Sequence, residues 1–217
     1  MSQLIFKFPF KTNYFQEDFY VSESNFEAYK LIESWPKWSS RFINIFGPSG
    51  CGKTHLAEIF YKKINSFFIK ASDLNNNTLS DIKAKECLIL DEYKNNVDEK
   101  LFYSILNQSY LSNQYIIINS LSPIQNFEVK LSDLKSRFSS FVNIGIDLPT
   151  DELIKVIISK NFSDKQVKIE SKSLEYIIKN IDRSYKAIFD LIDKLDDFSL
   201  STVKSININL IKKALKE

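Results

Sequence analysis

The sequence predicts an α/β fold in which a parallel sheet flanked by helices on both faces is followed by a small all-helical domain. Three observations predict it. Short apolar runs alternate with amphipathic stretches as far as Ile146, the rhythm of strand-helix-strand units. Three of the four glycines, Gly47, Gly50 and Gly52, crowd between one apolar run and the helix pattern that follows it. Past Pro149 the short runs give way to helical patterns.

The elements follow in chain order. Residues 1–12 set Phe6, Phe8 and Phe10 around Lys7 and Pro9, an alternation suited to an extended segment. Residues 24–34 hold Phe26, Tyr29, Leu31 and Ile32 at near-helical spacing, closed by Pro36. Phe42 to Phe46 is an apolar run that feeds Gly47, which reads as a buried parallel strand, a glycine loop and a helix from Lys53 to about Lys63. Phe67 to Ile69, Cys87 to Leu90, Tyr115 to Ile118 and Phe141 to Ile146 supply the other strands, with a helix from about Asp98 to Leu111. Thr150 suits a helix cap, and Asp151 and Glu152 in the first turn complement the helix dipole. Helices at 172–180, 184–196 and 209–216 complete the tail, with connections at 161–170 and 197–208 and an extended excursion at 204–208. The expected division is an extended segment 1–12, an α/β domain 13–148 and a helical domain 149–217.

Composition narrows the chemistry. The 217 residues are 44% hydrophobic and include 18 Phe and 10 Tyr, which excludes disorder as the main state. Two cysteines, Cys51 and Cys87, and one histidine, His55, exclude a disulfide framework and a multi-histidine metal site. No apolar run reaches the roughly 18 residues of a membrane span, and the N-terminus has no leader-like core, so a cytoplasmic protein without membrane contact is expected. With 29 basic residues against 27 acidic, the net charge of +2 carries no polyanion signature. Only three basic residues are arginines, Arg41, Arg137 and Arg183, so each invites a geometric explanation.

Gly47-Pro48-Ser49-Gly50-Cys51-Gly52-Lys53-Thr54 satisfies the GxxxxGK[ST] phosphate-loop pattern in its proper context, after a strand and before a helix. The glycines let backbone N–H groups turn onto phosphate oxygens, and the next helix adds its positive end. Lys53 reaches the terminal phosphates of ADP or ATP, and the Thr54 hydroxyl ligates Mg²⁺. Cys87-Leu88-Ile89-Leu90-Asp91-Glu92 delivers two acids to the C-terminal end of a buried strand, where ligands gather in open sheets. Asp91 suits Mg²⁺ ligation, direct or through water, and Glu92 suits orienting and deprotonating an attacking water. A strand can also end in acids merely to meet solvent. His55 reads as a helix-surface or adenine-side residue, Cys51 as a loop thiol open to oxidation, and Cys87 as core.

With these features in place, the whole chain resembles the AAA+ ATPases, and within them the Hda family of DnaA-related regulatory inactivators. The resemblance rests on Tyr14-Phe15 through Asp18-Phe19-Tyr20-Val21, on Leu131-Ser132-Asp133-Leu134-Lys135-Ser136-Arg137-Phe138, and on Arg183-Ser184-Tyr185-Lys186-Ala187-Ile188-Phe189. It implies an AAA+ P-loop NTPase core followed by a helical lid. It also implies that Tyr14, Phe15 and Val21 line the adenine pocket, although the residues alone read equally well as core aromatics. Arg137 takes the place of the family's arginine finger, with a surface salt bridge to Asp133 as the plainer reading. Asn119, followed by Ser120, takes that of the first sensor. The family's lid arginine falls on Lys186, one helical turn after Arg183, and the choice between the two as second sensor stays open. Gln3-Leu4-Ile5-Phe6-Lys7-Phe8 resembles the family's sliding-clamp-binding peptide, with Gln3, Leu4, Phe6 and Phe8 as anchors and Lys7 where proline is commoner.

The function so implied is regulation of chromosomal replication initiation. A nucleotide-bound protein docks on the DNA-loaded clamp and stimulates hydrolysis of ATP held by the DnaA-type initiator. Glu92 makes hydrolysis by the chain itself chemically possible. DNA contact is mainly indirect, through the clamp, and a homo-oligomer is compatible. No room for a helix-turn-helix DNA reader is expected before Glu217, and Asp190, Asp193, Asp196 and Asp197 offset Lys204, Lys212, Lys213 and Lys216. The alternatives are a helicase-loader-like or DNA-remodelling ATPase and a non-hydrolysing adaptor.

Overall fold

A computed structural model describes residues 14–165, 167, 169–202 and 208–216. The anchors Gln3, Leu4, Phe6 and Phe8 lie outside the described residues, as do 204–207 of the expected extended excursion. Two compact units emerge: Tyr14–Val21 with Asn25–Asp147, and the described residues of Leu148–Glu217 with Ser22–Ser24.

In the first unit, α1 (Phe26–Glu33) precedes β1 (Phe42–Phe46), and the glycine loop leads into α2 (Lys53–Tyr61). β2 (Ser66–Lys70), the short α3 (Thr78–Asp81), β3 (Cys87–Tyr93), α4 (Glu99–Leu111), β4 (Tyr115–Ser120), α5 (Ser132–Phe138) and β5 (Val142–Gly145) follow. All pairings are parallel, in the order β2-β3-β4-β1-β5. Strand alternation divides the core. Leu88, Leu90, Ile116, Ile118 and Phe42 are buried with Phe102, Ile105 and Leu106 of α4 and Leu134 and Phe138 of α5. Their buried neighbours Ile43, Ile45, Ile89 and Ile117 take the opposite face by the two-residue period, and α2 packs on β3 and β4.

Sheet order brings the loads together. β4 lies between β3 and β1, so Asp91, Asn119 and Gly47 leave the same edge on adjacent strands. Between β3 and β4 the register shifts after Leu90 opposite Ile118, and pairing resumes with Tyr93 opposite Ser120. Asp91 and Glu92 therefore share the single position opposite Asn119, a bulge, and Glu92 adopts φ +55°. A left-handed non-glycine residue costs about 1–2 kcal/mol, and such positions cluster at functional edges.

The helical unit contains α6 (Asp151–Asp164), α7 (Ser171–Asn180), α8 (Tyr185–Thr202) and α9 (Ile208–Lys216). The Thr150 hydroxyl caps α6 by accepting the Leu153 N–H at 3.2 Å. Ile154, Ile158 and Phe162 of α6 share a buried cluster with Ile177, Ile188, Ile192, Leu195 and Ile211. The four-residue spacing of 154, 158 and 162 continues one helix face beyond the expected stop at 161. Likewise α8 runs past 196, and Ile208 begins α9 rather than ending an extended stretch. Among the described residues no helix is long and apolar enough to cross a membrane.

Candidate functional site

The site grows from the loop after β1. Gly52 has φ +99°, and a Cβ there would stand 3.0 Å from Phe19 Cε2; one on Gly47 would stand 2.5 Å from the Ile146 carbonyl oxygen. Both positions need glycine, one for its backbone angle and one for close approach. Lys53 folds back over the loop, its Nζ donating to the Gly47 and Pro48 carbonyls at 2.8 and 2.9 Å. Its ammonium is thus held where incoming phosphate oxygens compete for it. Ser49 and Gly50 form the exposed crest. Cys51 is 4% exposed, and burial pushes its thiol above the ordinary range despite nearby Lys53. Burial and a raised thiol both work against thiolate formation at Cys51, whereas the sequence alone suggested a loop thiol open to oxidation.

Asp91 is the hub. Its carboxylate is 2% exposed, with Oδ2 accepting the Thr54 hydroxyl and Oδ1 accepting Asn119 Nδ2, each at 2.8 Å. Asn119 is wholly buried, and its Oδ1 has no hydrogen-bond partner among the described residues. A buried unpaired amide oxygen is a stored demand for a donor, such as a water or a hydroxyl. The Thr54–Asp91 pair is an all-oxygen donor set suited to a hard cation. Among the described residues no group of three or more His, Cys, Asp or Glu could hold a metal unaided. This fits Mg²⁺, which takes one or two protein oxygens and completes its shell with phosphate oxygens and water.

Glu92 stands apart from that hydrogen-bonded group. It is exposed and pairs with Lys70 Nζ at 2.8 Å, and this bond and charge raise the Lys70 ammonium above its usual range. Two open clefts, of about 660 and 840 Å³, share no lining residue with the loop, Asp91 or Asn119. Backbone curvature and polar donors define this site rather than an enclosed cavity.

On the flank of α2, His55 meets Tyr14 at 5.2 Å and Phe19 edge-on at 5.2 Å between ring centroids, and its Nε2 lies 2.7 Å from the Phe15 carbonyl oxygen. Phe19 stacks in turn on Tyr29 at 5.8 Å. Burial first, and then the charges of Asp91 and Glu58, raise the Tyr14 phenol. Phe15 is half-exposed beneath Lys62, and Val21 is partly buried. Tyr14 and His55 thus come together, joined by Phe19, which the sequence offered only within a motif.

Arg137 lies in α5, a helix not expected from the sequence. Its Nη2 donates to Asn107 Oδ1 at 2.7 Å, and its guanidinium sits 4.4 Å from the Tyr110 ring centroid. Asn107 and Tyr110, rather than Asp133, are the groups that hold it. Within the helical unit, Arg183 pairs with Asp151 at 3.0 Å and Lys186 with Asp190 at 3.2 Å, both exposed.

Comparisons with known proteins bear on the fold and its relatives. The family model described as Hda, lid domain, matches residues 151–215, and one described as RNA helicase matches 43–123, the span from β1 to just beyond β4. The chromosomal replication initiator protein DnaA of Buchnera aphidicola is 29% identical over 100% of this chain and 53% of its own length. The chain thus spans about half the length of the curated relatives it matches. Domain III of Thermotoga maritima DnaA superposes with a TM-score of 0.77 at 20% identity, covering 96% of this chain and 98% of that one. AMPPCP-bound DnaA from Aquifex aeolicus gives 0.71 at 21% identity, covering 94% and 68%. The parallel sheet with its glycine loop and the helical unit make the chain similar to DnaA-related AAA+ proteins: residues 151–215 match the Hda lid model, and the whole chain aligns with about half of DnaA.

Proposed function

We propose that this chain regulates replication initiation: it holds ADP or ATP with Mg²⁺, docks on the DNA-loaded sliding clamp through residues 3–8, and presents Arg137 to ATP held by a DnaA-type initiator. The observation that carries the proposal is the state of Arg137. Its guanidinium is held by a neutral amide and a ring face, so neither partner cancels its charge. A charge so placed suits a phosphate on a neighbouring protein, where it stabilises the transition state of hydrolysis.

The chain's own nucleotide supplies polyphosphate charge, and its Mg²⁺ the Lewis acid. Lys53 exchanges the Gly47 and Pro48 carbonyls for phosphate oxygens, and the loop amides receive the remainder. Thr54 and Asp91 hold the cation, and Asn119 keeps a hydrogen-bonding amide beside it. Glu92 is the candidate for orienting water, and in that role it exchanges its bond to Lys70. Tyr14, Phe15, Val21 and His55 take the base, and Arg183 or Lys186 reads the phosphates from the lid. The Hda-lid match and the similarity to DnaA support an initiator as the partner.

Reconstitution with sliding clamp, DNA and ATP-loaded initiator tests this reading. Adding the full chain should speed initiator ATP hydrolysis only when clamp is present, and a Gln3→Ala, Phe6→Ala, Phe8→Ala variant should abolish the gain. Equal stimulation without clamp contradicts the docking step. Absence of stimulation, with binding to single strands and to the replicative helicase, indicates a loader instead.

A further inference from the structure

Asn44 interrupts the apolar strand Phe42–Phe46 and yet is wholly buried at its centre. Burial of an amide is costly unless its groups are paired, and here they are. Nδ2 donates to the Ile118 carbonyl and to Ser120 Oγ, both at 2.8 Å, and Oδ1 accepts the Ile124 N–H at 2.8 Å. One side chain of β1 thus grips the end of β4 and the loop beyond it.

Ser120 passes the grip on. Its hydroxyl donates to the Ser122 carbonyl at 2.6 Å, and its own carbonyl accepts the N–H of Gly47, the first residue of the glycine loop, at 3.2 Å. The residue before it is Asn119, whose amide serves Asp91. Gly47 also sits close to the neighbouring chain, since a Cβ there would stand only 2.5 Å from the Ile146 carbonyl oxygen. We propose that Asn44 is a positioning residue for the phosphate loop, acting through Ser120 to fix where Gly47 leaves β1 and where Asn119 meets Asp91. This inference deepens the nucleotide-binding reading and rests on it.

The test uses the full chain as parent, Asn44→Leu, Ser120→Ala, the double variant, and Ile43→Val as a control that loosens the same strand. Two quantities are read: amide exchange of Gly47 in nucleotide-free protein, and Kd for ADP and for ATP with Mg²⁺ by calorimetry. In Asn44→Leu, Gly47 exchange should quicken and Kd should weaken, each about tenfold, the cost of losing one buried polar partner. Ser120→Ala should shift both in the same direction, the double variant should add little, and Ile43→Val should match the parent. Parental values in Asn44→Leu overturn the proposal, and so does equal weakening in Ile43→Val, which reduces Asn44 to strand packing. If Asn44→Leu does not fold, Ser120→Ala decides by the same two readouts. A parent that binds no nucleotide refutes the underlying reading, whereas normal parental binding with unchanged variants refutes only the role of Asn44.

Discussion

At Asp91 one carboxylate meets two neutral donors, Thr54 and Asn119, at 2.8 Å each. Asn in its place keeps one acceptor and turns an N–H toward a second donor, and it removes the anionic ligand. Asp91→Asn should therefore weaken nucleotide binding at least about tenfold in Mg²⁺ and leave binding in EDTA near the parental value. Calorimetric titration under both conditions checks this. Arg137 offers a second residue-scale prediction. Removing the Tyr110 ring forfeits a cation–π contact of about 0.5–1 kcal/mol, so Tyr110→Ala should lower stimulation of initiator hydrolysis roughly two- to fivefold, with Tyr110→Phe close to the parent. A gain in Tyr110→Ala would show instead that the ring restrains Arg137. The place of the glycine loop between a strand and a helix, and of Asp91 at a strand end, was legible in the sequence because both patterns are local. Asn44 was passed over within what read as an apolar run, because the partners that explain it lie more than seventy positions away. The Asp91–Glu92 bulge left no compositional mark at all, since a register shift belongs to two strands together.

At the scale of elements, the caps make the helices testable. The Asp98 carboxylate accepts the Leu101 N–H at 2.7 Å and starts α4, the helix that carries Asn107 and Tyr110. Asp98→Ala should cost about 1 kcal/mol, read as a lower thermal or denaturant midpoint. The strands could be read as apolar runs because parallel sheets bury both strand faces. Helix α5 could not, because its seven residues show only Leu134 and Phe138 to the core and a single i, i+4 pair is too short a pattern. The end of α6 was missed for a related reason: Asn161, Ser163 and Asp164 look like a loop, while buried Phe162 continues the helix face.

For the whole molecule, buried neutral acids predict an alkaline limit to stability. Burial raises the Cys87 thiol above its ordinary 9.0 and the Tyr93 phenol above its ordinary 10.0. Folded values above unfolded ones mean that, as pH climbs past the unfolded values, the unfolded chain releases protons the folded chain retains. Their contribution is fully present below about pH 9 and is lost as pH rises from the unfolded toward the folded values. The thermal midpoint should fall above about pH 9, less steeply in Tyr93→Phe, which keeps the ring and has no phenol to ionise. The sheet order β2-β3-β4-β1-β5 brings the strand ends that carry Asp91, Asn119 and Gly47 side by side, so this candidate site is assembled by the sheet and not by any one element. In the proposed function, Arg137 acts on the initiator's ATP. Its most direct test is a single-turnover assay of initiator-bound ATP with clamp and DNA, comparing the nucleotide-loaded parent with Arg137→Ala. Clamp-dependent hydrolysis is expected that Arg137→Ala lowers by at least about a thousandfold or to the unstimulated rate, with folding and nucleotide affinity retained. Parental stimulation by a folded, nucleotide-loaded Arg137→Ala would contradict it.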